Sequence, residues 1–277
     1  MTVYIWTGGL TVSVALVLLA LAITGVVRGT PEHPLATAPA KHKNGIVSLS
    51  YEESLAALAT IEEKLPAAER LSKITSVFAS RVRHYWPAPG TTDERVMHDW
   101  QENWYLAARQ RFEAAYLPGR SGEAGITRIE RREYYGILQK GVGLCSQVSL
   151  GVASYLAEHG LPGRIVPLGG HVVASTSIDG RNYILDADYN VTFEVPDSKP
   201  PAWEAAARSA YARAGYTGRR FEKVIGIFRQ TTAEAPIDAW RYGGSWRRTL
   251  MWAQTIKWSV PLALLLLGVG LLVRARR

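Results

Sequence analysis

The stretch that decides the fold runs from Gly141 to Asp188 and reads GVGLCSQVSLGVASYLAEHGLPGRIVPLGGHVVASTSIDGRNYILDAD. Its first part predicts an α-helix over Ser146–His159, because apolar residues recur there at helical spacing. Gly160 is placed to cap this helix at its C-terminal end, and Pro162 prevents its continuation. The residue just before the predicted helix is Cys145, the only cysteine of the chain.

The rest of this stretch predicts β-strands, because it is rich in Val, Ile, Ser and Thr and is interrupted by turn residues. The predicted strands are Arg164–Leu168, His171–Ile178 and Arg181–Asp186. Asp179-Gly180 is typical of a two-residue hairpin turn, so the second and third strands are expected to pair antiparallel. In that register His171 lies opposite Asp188, with Asp186 diagonal to it, and all three share one face of the sheet.

Helices are predicted on the N-terminal side of this stretch. They cover Ser50–Leu65, Leu71–Val82 and residues 91–112, and the first and third begin with capping-box patterns. After it, an Ala-rich segment predicts a helix over Pro201–Gly215, and Phe221–Phe228 is interpreted as a strand. The predicted fold class is therefore α+β, with a helical N-terminal part and a central Cys-bearing helix packed on an antiparallel sheet.

Both ends of the chain are apolar. Residues 4–27 carry no charged side chain and are long enough to cross a hydrocarbon core of about 30 Å as a helix. A cleaved signal peptide is the alternative, and the small residues Ala36-Thr37-Ala38 would suit its cleavage, but no Lys or Arg precedes the apolar run. Residues 250–273 predict a second transmembrane helix, for which a buried core helix is the alternative. These segments predict a linker over 28–49 and one domain over 50–245.

Two membrane spans would place both termini on one side of the membrane. The arginines at 274, 276 and 277 favour cytoplasmic termini, whereas basic residues on the domain side of the spans favour the opposite orientation. The Pro/Ala-rich stretch from Thr30 to Ala40 is typical of a spacer leading away from the membrane. We therefore expect the domain to be extracytoplasmic or periplasmic.

The charge of the chain does not indicate a nucleic-acid partner. The net charge is +8, but three of the 32 basic residues lie in the last four positions and the others form no long run. Solubility and anchoring at the membrane edge explain this surplus. A single cysteine also excludes an intramolecular disulfide, so Cys145 is either a small packing residue or a reactive thiol.

Cys145 is placed where a thiol can be reactive. It begins a helix directly after a Gly-rich segment, and the unpaired amides and partial positive charge of a helix N-terminus lower the pKa of cysteine thiols in general. A histidine and carboxylates on one sheet face can supply the general base and the group that orients it. The alternatives are a structural His–Asp hydrogen bond, or a metal site of Cys145, His171 and Asp186, which lacks close ligand spacing and a clear fourth ligand.

The segment from Tyr134 to Val191 resembles the core of the transglutaminase-like superfamily, over about 60 of the 277 residues. In that family a Gly-x-Cys begins the central helix, which ends in a Gly-Leu-Pro turn. A histidine then begins a strand, a turn of the type x-Asp-Gly-Arg follows, and Leu-Asp closes the next strand. The matching residues here are Gly143 to Cys145, Gly160 to Pro162, His171, Ile178 to Arg181, and Leu185-Asp186.

This resemblance implies a papain-like fold with a catalytic triad of Cys145, His171 and Asp186, and it selects Asp186 over Asp188 as the acid. It also implies a protease, amidase or acyltransferase that works through a thioester without a cofactor or metal. Gln139 is six residues before the cysteine, where papain-like enzymes carry an oxyanion donor, and a solvent-facing glutamine is the alternative. Val173 departs from the pattern, because the family often has an aromatic residue two positions after the histidine.

The sequence therefore predicts a membrane-anchored cysteine hydrolase or acyltransferase whose partners are the bilayer and a peptide or other amide-bearing substrate. A second hypothesis is a non-catalytic scaffold of the same fold that binds partner proteins in a membrane or cell-envelope complex. A third, a peptide- or glycan-binding module, rests on the nine tryptophans, which core and membrane-boundary positions explain better.

Overall fold

A computed structural model describes residues 2–33, 36, 48–84, 97–116, 131–197, 200–230, 236–239, 241 and 244–277. The predicted linker over 28–49 lies largely outside these residues, as do positions 37 and 38 of the small-residue pattern and the second capping box at 91–94. The described part of the chain is α+β, as predicted, and divides into two compact units.

The elements follow in chain order. They are α1 (Thr2–Arg28), α2 (Tyr51–Ala59), α3 (Ala67–Arg81), β1 (Arg83–His84), α4 (Trp100–Tyr116), α5 (Tyr134–Lys140), β2 (Val142–Gly143), α6 (Cys145–Glu158), β3 (Arg164–Leu168), β4 (His171–Ile178), β5 (Arg181–Asp186), β6 (Val191–Val195), a 3₁₀-helix (Pro200–Trp203), α7 (Glu204–Arg213), α8 (Gly218–Gln230), β7 (Ile237–Asp238) and α9 (Gly244–Ala275).

The first unit consists of residues 1–31, 87–129 and 243–277, and its described elements are α1, α4 and α9. Two of its helices, over Thr2–Arg28 and Arg247–Ala275, are long and apolar enough to cross a membrane. They approach each other closely at Gly8, where an added Cβ would lie 3.1 Å from the carbonyl oxygen of Gly268. Small residues permit such close helix packing when no hydrophobic effect drives association.

The second unit consists of residues 32–86 and 130–242 and contains the five-stranded sheet β6-β5-β4-β3-β7, in which every pair is antiparallel. Helices cover both faces. On one face α3 and α6 pack on the sheet through a cluster that includes Phe78, Val152 and Leu185. On the other face α7 and α8 pack through Tyr211, Phe228 and Val173, among others. Burial of both faces explains why the central strands contain few exposed residues.

The predicted hairpin is confirmed at the level of single residues. Ile178 pairs with Arg181 and Ala174 with Leu185, in the register that the two-residue turn requires. Asp179 adopts a left-handed φ of 52° and Gly180 one of 74°, which suits a turn of this kind. The helix at 146–159 and the strand at 164–168 are also confirmed.

The predicted strand over Phe221–Phe228 is wrong, because this segment lies within the helix α8. Val224, Ile225 and Phe228 are buried against the sheet, and their spacing of one and four residues is helical. The segment also lacks alternation of apolar and polar residues, the pattern that a half-buried strand requires.

Candidate active site

Cys145 is the first residue of α6, and Leu144 precedes it in extended conformation. The backbone N–H of a first helical residue has no partner within its own helix, so it can bind a ligand atom. Two features fix the path of the backbone that leads to Cys145. Gly141 ends α5 with a left-handed φ of 69°, and the strand β2 that follows pairs in parallel with β1. This pairing sets His84 beside Gly143, two residues before the thiol.

His171 and Asp186 form a buried pair, and both are at most 3% exposed. Nε2 of His171 lies 2.7 Å from Oδ2 of Asp186, and because an ionised carboxylate only accepts hydrogen bonds, Nε2 carries the proton. The other ring nitrogen, Nδ1, is not bound by Asp186 and lies 3.9 Å from Oδ2 of Asp188. It is therefore the nitrogen that is available to exchange a proton with the Cys145 thiol.

The thiol lies close to this imidazole. One ligand atom from each of Cys145, His171 and Asp188 lies within 4.8 Å of the other two. A hydrogen bond ties the two supporting elements together, because Oγ of Ser149 in α6 donates to the carbonyl oxygen of Val172 in β4, at 2.9 Å. The helix that carries the cysteine and the strand that carries the histidine are thus connected one helical turn from the thiol.

Asp188 lies on the thiol side of the imidazole, opposite Asp186. Its Oδ2 is 3.9 Å from Nδ1 of His171 and 2.5 Å from Nδ1 of His84. Asp186 and Asp188 are therefore not equivalent, since Asp186 is hydrogen-bonded to the imidazole and Asp188 stands between two histidines. Asp186, the residue that the resemblance selects, is the carboxylate hydrogen-bonded to the imidazole, and its role as the orienting acid stays a prediction.

The pKa of His171 lies well above its usual value of about 6.5. Burial of the ring has the largest single influence and lowers the pKa. The charge and hydrogen bond of Asp186, the hydrogen bond with the Cys145 thiol and the charge of Asp188 together raise it by more. An imidazolium that persists toward neutral pH can stabilise a neighbouring thiolate as an ion pair.

A group of tyrosines surrounds the His–Asp pair. The hydroxyl of Tyr211, whose side chain is fully buried, donates to Oδ2 of Asp186. The ring of Tyr189 packs edge-on against His171 with 5.7 Å between centroids, and the hydroxyl of Tyr216 donates to the carbonyl oxygen of Tyr189. Burial, with the charges of Asp186 and Asp188, raises the pKa of Tyr216 to about 12 and also raises that of Tyr211.

We expect Tyr211→Phe to destabilise the fold by about 1.5–3 kcal/mol, because it removes a buried hydrogen bond to a charged carboxylate. The change leaves the ring in place, so the packing of the core is retained. Urea unfolding of the full-length chain measures the free energy of unfolding of the native protein and the variant.

Tyr183→Phe is a matched control. Tyr183 is also buried, at 1% exposure, but its hydroxyl has no hydrogen-bond partner among the described residues. Its removal breaks no hydrogen bond to a described residue and relieves the burial of an unpaired hydroxyl, so stability is expected to stay unchanged or to rise. Equal losses in the two variants would contradict the assigned role of the Tyr211 hydroxyl.

The structure bears differently on the predicted oxyanion donor Gln139 and on the metal alternative. Gln139 lies near the end of α5, half-buried, and its carbonyl oxygen accepts a hydrogen bond from Nη2 of Arg81 at 3.0 Å. The role of its side chain as an oxyanion donor stays a prediction. The metal alternative that combined Cys145 and His171 with Asp186 is wrong in its third member, because Asp186 binds the far nitrogen of the imidazole and Asp188 is the carboxylate near the thiol.

Sequence reasoning missed three residues near the pair, namely His84, Tyr189 and Tyr211. His84 and Tyr211 are separated from the hairpin in sequence, so only tertiary packing brings them to it. Tyr189 directly follows Asp188 and is aromatic, and this proximity could have identified it.

In comparisons with known proteins, no protein-family model, no curated protein and no solved structure matches the chain.

Proposed function

We propose that the chain is a membrane-anchored, cysteine-dependent hydrolase or acyltransferase of the transglutaminase-like type. It would act on an amide or ester bond through a thioester on Cys145. The observation that carries this proposal is the arrangement at His171. One ring nitrogen, Nε2, is fixed by Asp186 at 2.7 Å. The other, Nδ1, is not bound by Asp186, and the ring lies close to the Cys145 thiol at a helix N-terminus.

In the first half of the reaction, Nδ1 of His171 takes the proton of the Cys145 thiol. The thiolate attacks the substrate carbonyl carbon, and negative charge develops on the carbonyl oxygen, where the backbone N–H of Cys145 and the predicted donor Gln139 would bind it. The imidazolium then returns its proton to the departing amine or alcohol, and the C–N or C–O bond breaks as the thioester forms.

In the second half, water or an amine attacks the thioester carbonyl and gives its proton to Nδ1. The C–S bond breaks, the proton passes to the thiolate, and a carboxylic acid or a new amide leaves. Asp186 takes part only by holding the ring orientation and stabilising the imidazolium.

The proposal includes anchoring by the two terminal helices. Large apolar side chains on α1 and α9 are exposed, including Trp6, Leu10 and Val27 on the first and Leu266 on the second. Exposed apolar surface of this extent is unfavourable in water and is typical of helices that face lipid. The spacer-like sequence after α1 favours an extracytoplasmic position for the domain.

The scaffold hypothesis rested partly on the missing aromatic residue after His171. In this fold Val173 is fully buried in the core beneath α7 and α8. A residue in that position contributes to packing and does not contact a substrate, so its identity carries no argument against catalysis.

The test uses the full-length chain in detergent, in EDTA, with p-nitrophenyl acetate as an activated ester. We expect a burst of nitrophenol equal to one acetyl group per chain and an acetylated peptide that contains Cys145. Addition of an amine such as glycinamide divides the acyl group between water and the amine, and the products distinguish hydrolysis from transfer. A protein that is never acetylated on Cys145 would contradict the proposal.

A further inference from the structure

Asp188 is a carboxylate that the proposed mechanism does not use. A Cys–His–Asp triad needs one acid, on the imidazole nitrogen away from the thiol, and Asp186 occupies that place. Asp188 is 6% exposed and lies on the opposite side, where it converges with the Cys145 thiol and the imidazole of His171 within 4.8 Å. Its Oδ2 also lies 2.5 Å from Nδ1 of His84, so a carboxylate and two imidazoles meet beside the nucleophile.

A thiolate, an imidazole and a carboxylate together form a donor set that suits zinc and related divalent transition metals. Typical zinc bond lengths of about 2.0–2.3 Å and tetrahedral angles place the ligand atoms of a site roughly 3.3–3.6 Å apart. Oδ2 of Asp188 is already 3.9 Å from Nδ1 of His171. Small side-chain rotations would therefore bring the three atoms to coordination distance.

The surroundings of these residues also match those of a metal site. A histidine that binds zinc usually donates its other N–H to a carboxylate, which fixes the ring and increases its basicity. Nε2 of His171 has this partner in Asp186, and Nδ1 lies on the side of Cys145 and Asp188. His84, 2.5 Å from Oδ2 of Asp188, holds the third donor in position.

We infer that Cys145, His171 and Asp188 form a binding site for one divalent transition-metal ion of the zinc class, with water as the fourth ligand. The binding of the metal is inferred from the donor atoms and does not depend on the proposed function. The effect of the metal on activity does rest on the proposed function. A metal bound to the thiolate and to Nδ1 occupies both groups that acylation requires, so the ion acts as a reversible inhibitor.

Cobalt(II) is the probe, because it replaces zinc in such sites and its bond to a thiolate absorbs light. The full-length chain is treated with EDTA, freed of chelator and titrated with cobalt(II) chloride. We expect one equivalent to bind with a thiolate-to-cobalt charge-transfer absorption, and zinc chloride to displace it. Cys145→Ser should remove this absorption, and Asp188→Asn should weaken binding at least about 10-fold.

Asp179→Asn is the matched control, since it makes the same change in an exposed carboxylate at the far end of the hairpin, and it should bind cobalt as the native protein does. Circular dichroism verifies that each variant is folded. Absence of the thiolate absorption in the native protein, or native affinity in a folded Asp188→Asn variant, would overturn the inference.

The acetylation assay in EDTA separates this inference from the proposed function. If the protein is acetylated but does not bind cobalt, the metal-site inference is contradicted and the proposed function stands. If it binds cobalt but is not acetylated, the proposed function is contradicted and the metal site stands. Where both hold, zinc should block acetylation over the concentration range in which it displaces cobalt.

Discussion

Cys145→Ala should lower the rate of acetylation by p-nitrophenyl acetate by about 10³-fold or more, because the variant lacks the thiolate that carries the acyl group in the proposed mechanism. Cys145 is half-buried and begins a helix without capping it, so its side chain contributes little to packing. The free energy of unfolding should therefore stay within about 1 kcal/mol of the native value.

The matched control for this change is Glu158→Ala, in the exposed last residue of the same helix. It should leave both the burst and its amplitude unchanged. If a folded Cys145→Ala protein kept the native rate, the acyl group would be carried elsewhere and the scaffold hypothesis would become the better account. If Cys145→Ala lost activity only together with its fold, the cysteine would be a packing residue.

Local signals were sufficient to predict the hairpin that carries the candidate site. Asp179-Gly180 fixes the loop length, the loop length fixes the register, and the register places His171 and Asp186 near each other on one face. The start of α6 was equally local, because a glycine-rich segment ends where an apolar helical period begins. Both features depend only on residues that are close in sequence, so one sequence is sufficient to recognise them.

The roles of His84 and Tyr211 could not be predicted in this way. Each reaches the site through tertiary packing, His84 by the pairing of β1 with β2 and Tyr211 by the docking of α7 on the sheet. Neither residue belongs to a local sequence pattern that indicates which residue it contacts. The strand β6 has a local signal, because Val191, Phe193 and Val195 are buried and alternate with polar residues. The apolar residues of α8 instead follow the spacing of a helix, which contradicts the strand predicted there.

The second large effect is expected for Asp186→Asn, which should slow acetylation by roughly 100-fold or more. Asp186 accepts hydrogen bonds from Nε2 of His171, the hydroxyl of Tyr211 and the backbone N–H of Asp188. Asparagine offers one acceptor oxygen in place of two and carries no charge. Its NH₂ group would face one of these donors, and the imidazolium would lose its counter-charge.

The same variant changes the pH dependence of the protein, measured in EDTA. Asp186 has the largest influence that raises the pKa of His171, and burial has the largest that lowers it, so the pKa should fall in the variant toward or below its usual value of about 6.5. A raised native pKa stabilises the fold fully below the unfolded pKa, and this contribution is lost as pH rises through the folded pKa. The stability lost on substitution should therefore be larger near pH 6 than near pH 9.

NMR of the His171 ring follows its titration, and urea unfolding at the two pH values follows the stability. Asp179→Asn again serves as the control, since it changes the same charge away from the site and should leave both quantities unchanged. If His171 in the Asp186→Asn protein still titrated above about 6.5 and acetylation stayed fast, Asp186 would not orient the base. Asp188, the other carboxylate beside the ring at 3.9 Å, would then be the group that raises its pKa. A slow variant with a lowered pKa would instead assign the activation of Cys145 to the pair of His171 and Asp186.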